Sequence, residues 1–132
     1  MNNALGIASI YGVRLGDDKN SILELFGQPS RTKSVEGTEE WSWLKSAVPD
    51  YVRFGSDGVH ETNGDAIFVD GVEMDRSHSR EHLWALFPEL QLDTTMSICE
   101  IFRVRREDTE LKIAFFVNGG NKYTLRRLPP LI

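Results

Sequence analysis

Three histidines, one cysteine and a C-terminal run of arginines are the side chains of this 132-residue sequence whose types and spacing bear on chemistry. His78 and His82 are four apart with Glu81 beside one of them, and an i, i+4 histidine pair on a helix can bind a metal. The segment Ser77-His78-Ser79-Arg80-Glu81 opens a helix, however, and supplies no third ligand, so the spacing favours a solvated helix face. His60-Glu61, followed by Asn63 and Asp65, could form an acid/base cluster. The same residues suit an ordinary polar loop. Cys99 sits between Ile98 and Ile101-Phe102, surroundings that predict a sheltered structural thiol, because a reactive one needs an electropositive, partly exposed setting. Asn118-Gly119-Gly120-Asn121-Lys122 is glycine-rich but links two strands, whereas a phosphate loop leads into a helix N-terminus. No nucleophile elbow, nucleotide fingerprint, zinc cysteine set or EF-hand pattern is present. The pattern predicts no cofactor, no catalytic set and no metal site, and hence a protein that is not an enzyme.

Arg103, Arg105, Arg106, Arg126 and Arg127 form a basic group in the second half. Strand alternation turns Arg103, Arg105 and Arg126 away from the helices, and Arg53 joins them from the first half. Two readings follow. The arginines pair across strands with acids such as Glu100 and Glu110, or they form a recognition surface, where arginine is enriched.

The elements that must position these side chains follow from periodicity. Ile22, Leu25 and Phe26 make one stripe of a helix capped by Asp18 and ended by Gly27 and Pro29. A second helix starts near Ser77 or Ser79 and ends at Phe87-Pro88, with Leu83, Leu86 and Phe87 as its stripe. Alternation predicts strands at Glu40 to Trp43, Val52 to Phe54 and Ala66 to Val69. In the second half the strands are Ile98 to Arg105, Leu111 to Val117 and Lys122 to Leu128. Trp41, Trp43, Val52, Phe54, Phe102, Val104, Ile113, Phe115 and Val117 are expected to face the helices. Residues 1–10 read as an added strand or a helical lead-in.

The two halves match. Gly12-Val13-Arg14-Leu15 falls on Gly71-Val72-Glu73-Met74 at an offset of 59 (71 minus 12), and Ile22, Leu25 and Phe26 fall on Leu83, Leu86 and Phe87 at 61 (83 minus 22). Trp41, Trp43, Val52 and Phe54 find Phe102, Val104, Ile113 and Phe115 at the same offset. The expectation is an α+β fold of two repeats, residues 1–70 and 71–132, in one compact unit. Each repeat is a short helix plus three antiparallel strands, with helices on one face of the sheet.

Gly12-Val13-Arg14-Leu15-Gly16-Asp17-Asp18, Ile22-Leu23, Phe26-Gly27-Gln28-Pro29, Trp-x-Trp and Val-x-Phe-x-x-Asp-Gly together resemble the small α/β repeat of the β-lactamase inhibitor protein and of SmpA/OmlA-type outer-membrane assembly lipoproteins. The resemblance covers most of the chain and implies a helix-backed sheet with a protein-binding face. The chain departs from both families. It lacks the disulfides of the inhibitor protein, and Cys99 cannot stand for the lipidated cysteine of the lipoproteins. Neither β-lactamase inhibition nor envelope assembly is therefore implied.

The net charge of −5 argues mildly against a nucleic-acid partner, since phosphates need positive charge. No run of about 20 apolar residues exists to span a bilayer, and Met1 to Ile7 carries no signal-like pattern, so a cytoplasmic protein is expected. The functional expectation is a protein-binding module of inhibitor or immunity type that uses the open sheet face. Its contact residues would be Ser42, Tyr51, Arg53, Arg103, Arg105, Phe116 and Arg126. Nucleic-acid or anionic-ligand binding through the arginines is the alternative, and a homodimer stays open.

Overall fold

The structure, a computed structural model, describes residues 8–75 and 77–128. Part of the ambiguous lead-in, residues 1–7, lies outside them. Helix α1 spans Lys19–Phe26; Asp18 caps it by accepting from the Ser21 amide, and the Gly27 amide donates to the Leu23 carbonyl. Strands β1 (Arg31–Val35), β2 (Thr38–Ser42), β3 (Tyr51–Gly55) and β4 (Gly58–Gly64) follow. A separate ribbon of β5 (Ile67–Val69) and β6 (Val72–Met74) leads to α2 (Arg80–Leu86), capped by Ser79. Then come β7 (Gln91–Thr95), β8 (Cys99–Arg106), β9 (Thr109–Phe116) and β10 (Asn121–Arg127).

Eight strands form one antiparallel sheet in the order β1-β2-β3-β4-β10-β9-β8-β7. The order is symmetrical about the β4–β10 seam. Two-residue turns close the hairpins where the chain can hold positive φ at both positions: Glu36-Gly37 between β1 and β2, and Asp70-Gly71 between β5 and β6.

The expected α+β class and the tandem repeat of a helix-plus-three-strand unit are wrong. The chain is mainly β, with two short helices among the described residues. Each helix is followed by four strands of the large sheet. Three of these were unforeseen: β4, and β1 and β7, which are edge strands exposed along nearly their whole length, so neither edge strand carries the apolar alternation that marks a half-buried strand. The expected strand at Ala66 to Val69 belongs to the small ribbon, and β4 takes its place in the sheet. Lys122 to Leu128 corresponds to β10.

The core lies between one sheet face and the helices, in two clusters. Ile22 and Phe26 of α1 pack with Trp41, Trp43, Val52 and Phe54, where the Trp41 ring meets Phe54 edge-on at 4.7 Å between centroids. Leu83 of α2 and Phe87 pack with Phe102, Val104, Ile113 and Phe115, joined by the β5–β6 ribbon. Val117 departs from the expected helix-facing set. It lies past the end of β9 at the hairpin turn and is largely exposed. Leu25 is also half-exposed, so the α1 stripe is narrower than its periodicity suggests.

Candidate functional site

The side chains of the other sheet face follow from register, because alternation sends every second residue there. Lys33 stands opposite Glu40, Glu40 opposite Arg53, and Arg53 opposite Glu61. Across the seam Glu61 is opposite Arg126, then Arg126 is opposite Glu110 and Glu110 opposite Arg105. One row of alternating sign therefore crosses seven strands: Lys33, Glu40, Arg53, Glu61, Arg126, Glu110, Arg105.

Short ion pairs join most of the row. Arg53 donates from Nε to Glu40 at 2.8 Å and from Nη1 to Glu61 at 3.2 Å. Lys33 lies 3.4 Å from the other Glu40 oxygen. Glu110 is held from both sides, by Arg105 at 2.5 Å and Arg126 at 2.7 Å, one guanidinium to each carboxylate oxygen. The acids are recessed: the side chains of Glu110, Glu40 and Glu61 are 0%, 9% and 14% exposed, against 28% for Arg53 and 36% to 60% for Arg126, Arg105 and Lys33. Burial alone would push the Glu110 carboxyl upward. The hydrogen bonds from Arg105 and Arg126 outweigh it and hold that carboxyl below its ordinary range. Glu40 is depressed in the same way, burial being overcome by Arg53 and Lys33.

A second row of mostly uncharged groups runs beside the first. The Tyr51 hydroxyl donates to Glu61, and its ring lies under the Arg53 guanidinium at 4.5 Å. Burial and the Glu61 bond raise the Tyr51 pKa. Asn63 donates to Thr124 across the seam at 2.6 Å. Arg103 and Lys112 flank Asp93 at 3.6 and 3.3 Å, where a bulge in β7 turns that carboxylate onto this face.

All seven residues expected to contact a partner, Ser42, Tyr51, Arg53, Arg103, Arg105, Phe116 and Arg126, stand on this face by register. The structure also changes what some of them do. Tyr51 and Phe116 are only half-exposed, and Arg53, Arg105 and Arg126 are tied to carboxylates. The five C-terminal arginines divide three to two. Arg106 instead binds Glu89 and covers the Phe87 ring on the helix side, and Arg127 approaches Asp108. Glu110 is the cross-strand partner anticipated for the arginines. Glu100 is not, since it points to the helix side and meets Arg80 of α2.

The other candidates separate. Glu61 and Asn63 join the open face, His60 sits at the β3–β4 bulge beside Gly55, and Asp65 accepts from Tyr11. The hydrogen bond to Asp65 is the main reason the Tyr11 hydroxyl is raised to about 12. The His78 and His82 rings lie tilted against each other at 4.5 Å between centroids, and His78 Nδ1 lies 3.1 Å from Asp75. Among the described residues no group of three or more His, Cys, Asp or Glu is placed to hold a metal ion. Cys99 is buried at the start of β8, opposite Phe116 and 3.9 Å from the Met96 sulfur.

Of the row's acids, sequence reasoning anticipates Glu110 as an arginine partner, whereas it reads Glu61 only as part of an acid/base cluster or polar loop, because no strand is expected there. It misses Glu40 as a partner, although alternation with Trp41 places Glu40 on the face away from the helices. Comparison of the chain with protein-family models, curated proteins and solved structures yields no match.

Proposed function

We propose that this chain is a non-enzymatic protein-binding module, of inhibitor or immunity type, whose partner docks on the sheet face opposite the helices. The observation that carries this reading is the seven-strand charged row with recessed acids. Carboxylates beneath the arginines hold the guanidinium groups in place before any partner arrives, which lowers the ordering cost of binding. Arginine and tyrosine, the composition of interface hot spots, meet there in Arg53 and Tyr51. Neither helix nor ribbon covers this face among the described residues.

Nucleic acid fits the face less well. The arginines of the row already have carboxylate partners, so little counterion release remains to drive phosphate binding. No helix of the described residues is long and apolar enough to cross a membrane, and a cytoplasmic site of action is part of the proposal. The test is photo-crosslinking in extracts of the native host, with a photoreactive side chain at Ser42 or Ala114 and, as control, at Glu24 on α1. Protein adducts from the two sheet positions alone support the reading. Equal adducts from Glu24, or adducts to nucleic acid, refute it.

A further inference from the structure

The charge of the open face differs in sign from that of the molecule. The face carries eight basic side chains, the four of the row with Arg31, Arg103, Lys112 and Lys122, and five acidic ones, the three of the row with Asp50 and Asp93. Its balance is therefore +3. The whole chain has 15 basic and 20 acidic residues, which leaves seven against fifteen elsewhere, a balance of −8. Exposure sharpens the contrast. The row's acids lie at the bottom of the face and its cations stand above them, so an approaching surface meets guanidinium and ammonium groups first.

We infer that the partner presents an acidic protein surface, with Asp and Glu side chains that settle between the raised cations. The inference rests on the sheet-face reading above and adds the partner's chemistry. Complementary charge across an interface fixes register and speeds encounter. A molecule that is basic on one face and acidic elsewhere also orients itself in the field of an acidic partner. A side-chain carboxylate can accept from Arg103 or Lys112, whose shared acid, Asp93, serves both at more than 3 Å. Ile101 and Phe116, half-exposed at the same end, add apolar contact.

The experiment measures fluorescence anisotropy of the full chain with three labelled probes of equal length: a glutamate-rich peptide, a lysine-rich peptide and single-stranded DNA. The glutamate-rich peptide is expected to bind most tightly and to lose about tenfold in affinity from about 20 to about 200 mM salt. Arg103→Glu with Lys112→Glu should abolish binding, and the milder Arg103→Gln with Lys112→Gln should weaken it at least about fivefold with circular dichroism unchanged. Lys45→Glu, on the loop beside the α1 C-terminus and away from the open face, should leave peptide binding unchanged. Tighter binding of the lysine-rich peptide, or no binding of the glutamate-rich one at low salt, overturns the acidic-partner inference and leaves the crosslinking test of the sheet face standing. Tighter binding of DNA overturns both.

Discussion

Glu110 offers the sharpest test of the energetics, because its carboxylate is fully buried while both its cations reach solvent. Consider Arg105→Ala, Arg126→Ala and the double variant. Each single change removes one charge-assisted hydrogen bond, worth about 1.5–3 kcal/mol, and leaves the other guanidinium in place. Solvent contact of the arginines places the single costs near the lower end. The double variant strands a buried carboxylate with no cation, and breaking such an arrangement costs about 3–5 kcal/mol. With a urea m-value of about 2 kcal/mol/M, the midpoint falls by about 2 M. The pH dependence reverses. In the native chain the folded Glu110 pKa is depressed, so its contribution is complete above the unfolded value and is lost as pH falls through the folded one. In the double variant burial acts alone and raises the pKa, so the penalty is full at neutral pH and relaxes on acidification. Urea titrations at about pH 7 and about pH 4 read both effects. A double-variant cost below about 1 kcal/mol at neutral pH, or one that grows on acidification, refutes the reasoning.

Three further expectations concern other parts of the molecule. Gly58 holds φ +98°, and an added Cβ would lie 2.6 Å from the Gly16 and Asp17 carbonyl oxygens. Gly58→Ala should therefore cost at least about 3 kcal/mol in chemical denaturation, against about 1 kcal/mol for Gly37→Ala, where the space is open. Tyr11, Tyr51 and Tyr123 are all raised above the ordinary value, chiefly by the Asp65 hydrogen bond for Tyr11 and by burial for the other two. These groups stabilise the fold below the unfolded pKa near 10, and that stability is lost as pH rises. Tyrosinate absorbance should thus appear only well above pH 10 and together with unfolding; an early, reversible titration would contradict this. Cys99 is 4% exposed and should react with a disulfide reagent orders of magnitude more slowly in the folded chain than in urea.

Much of the sheet was legible because its central strands obey period two. Trp41 and Trp43, Val52 and Phe54, and Ile113 and Phe115 each announced a buried face, and Asp18, Gly27 and Ser79 marked helix ends through cap chemistry. The offset of 61 residues follows the order of elements: Trp41 and Phe102 lie on β2 and β8, Val52 and Ile113 on β3 and β9. It could not reveal β1 or β7. Arg31-Thr32-Lys33-Ser34 has nothing to bury, and edge strands held by backbone bonds alone leave no hydrophobic signature. The turn at Glu36-Gly37 was the one local clue to β1. At the candidate site the direction of the arginines was readable from alternation. Of their partners, Glu110 was anticipated; Glu40 and Glu61 were not, since pairing depends on the exact register between neighbouring strands and, for Glu61, on β4, which had no recognised alternation.

The β4–β10 seam has a bearing on how the molecule assembles. Every other neighbouring pair in the large sheet is consecutive in the chain, whereas the seam joins Gly64 to Tyr123 and Glu61 to Arg126, 59 and 65 positions apart. Closing so long a loop is the entropically costly step, so the two four-stranded meanders are expected to form first and the seam to close last. The row from Lys33 to Arg105 is continuous only after that closure. A half-formed chain shows two short charged ladders that face independently, and the full surface is withheld until folding is complete.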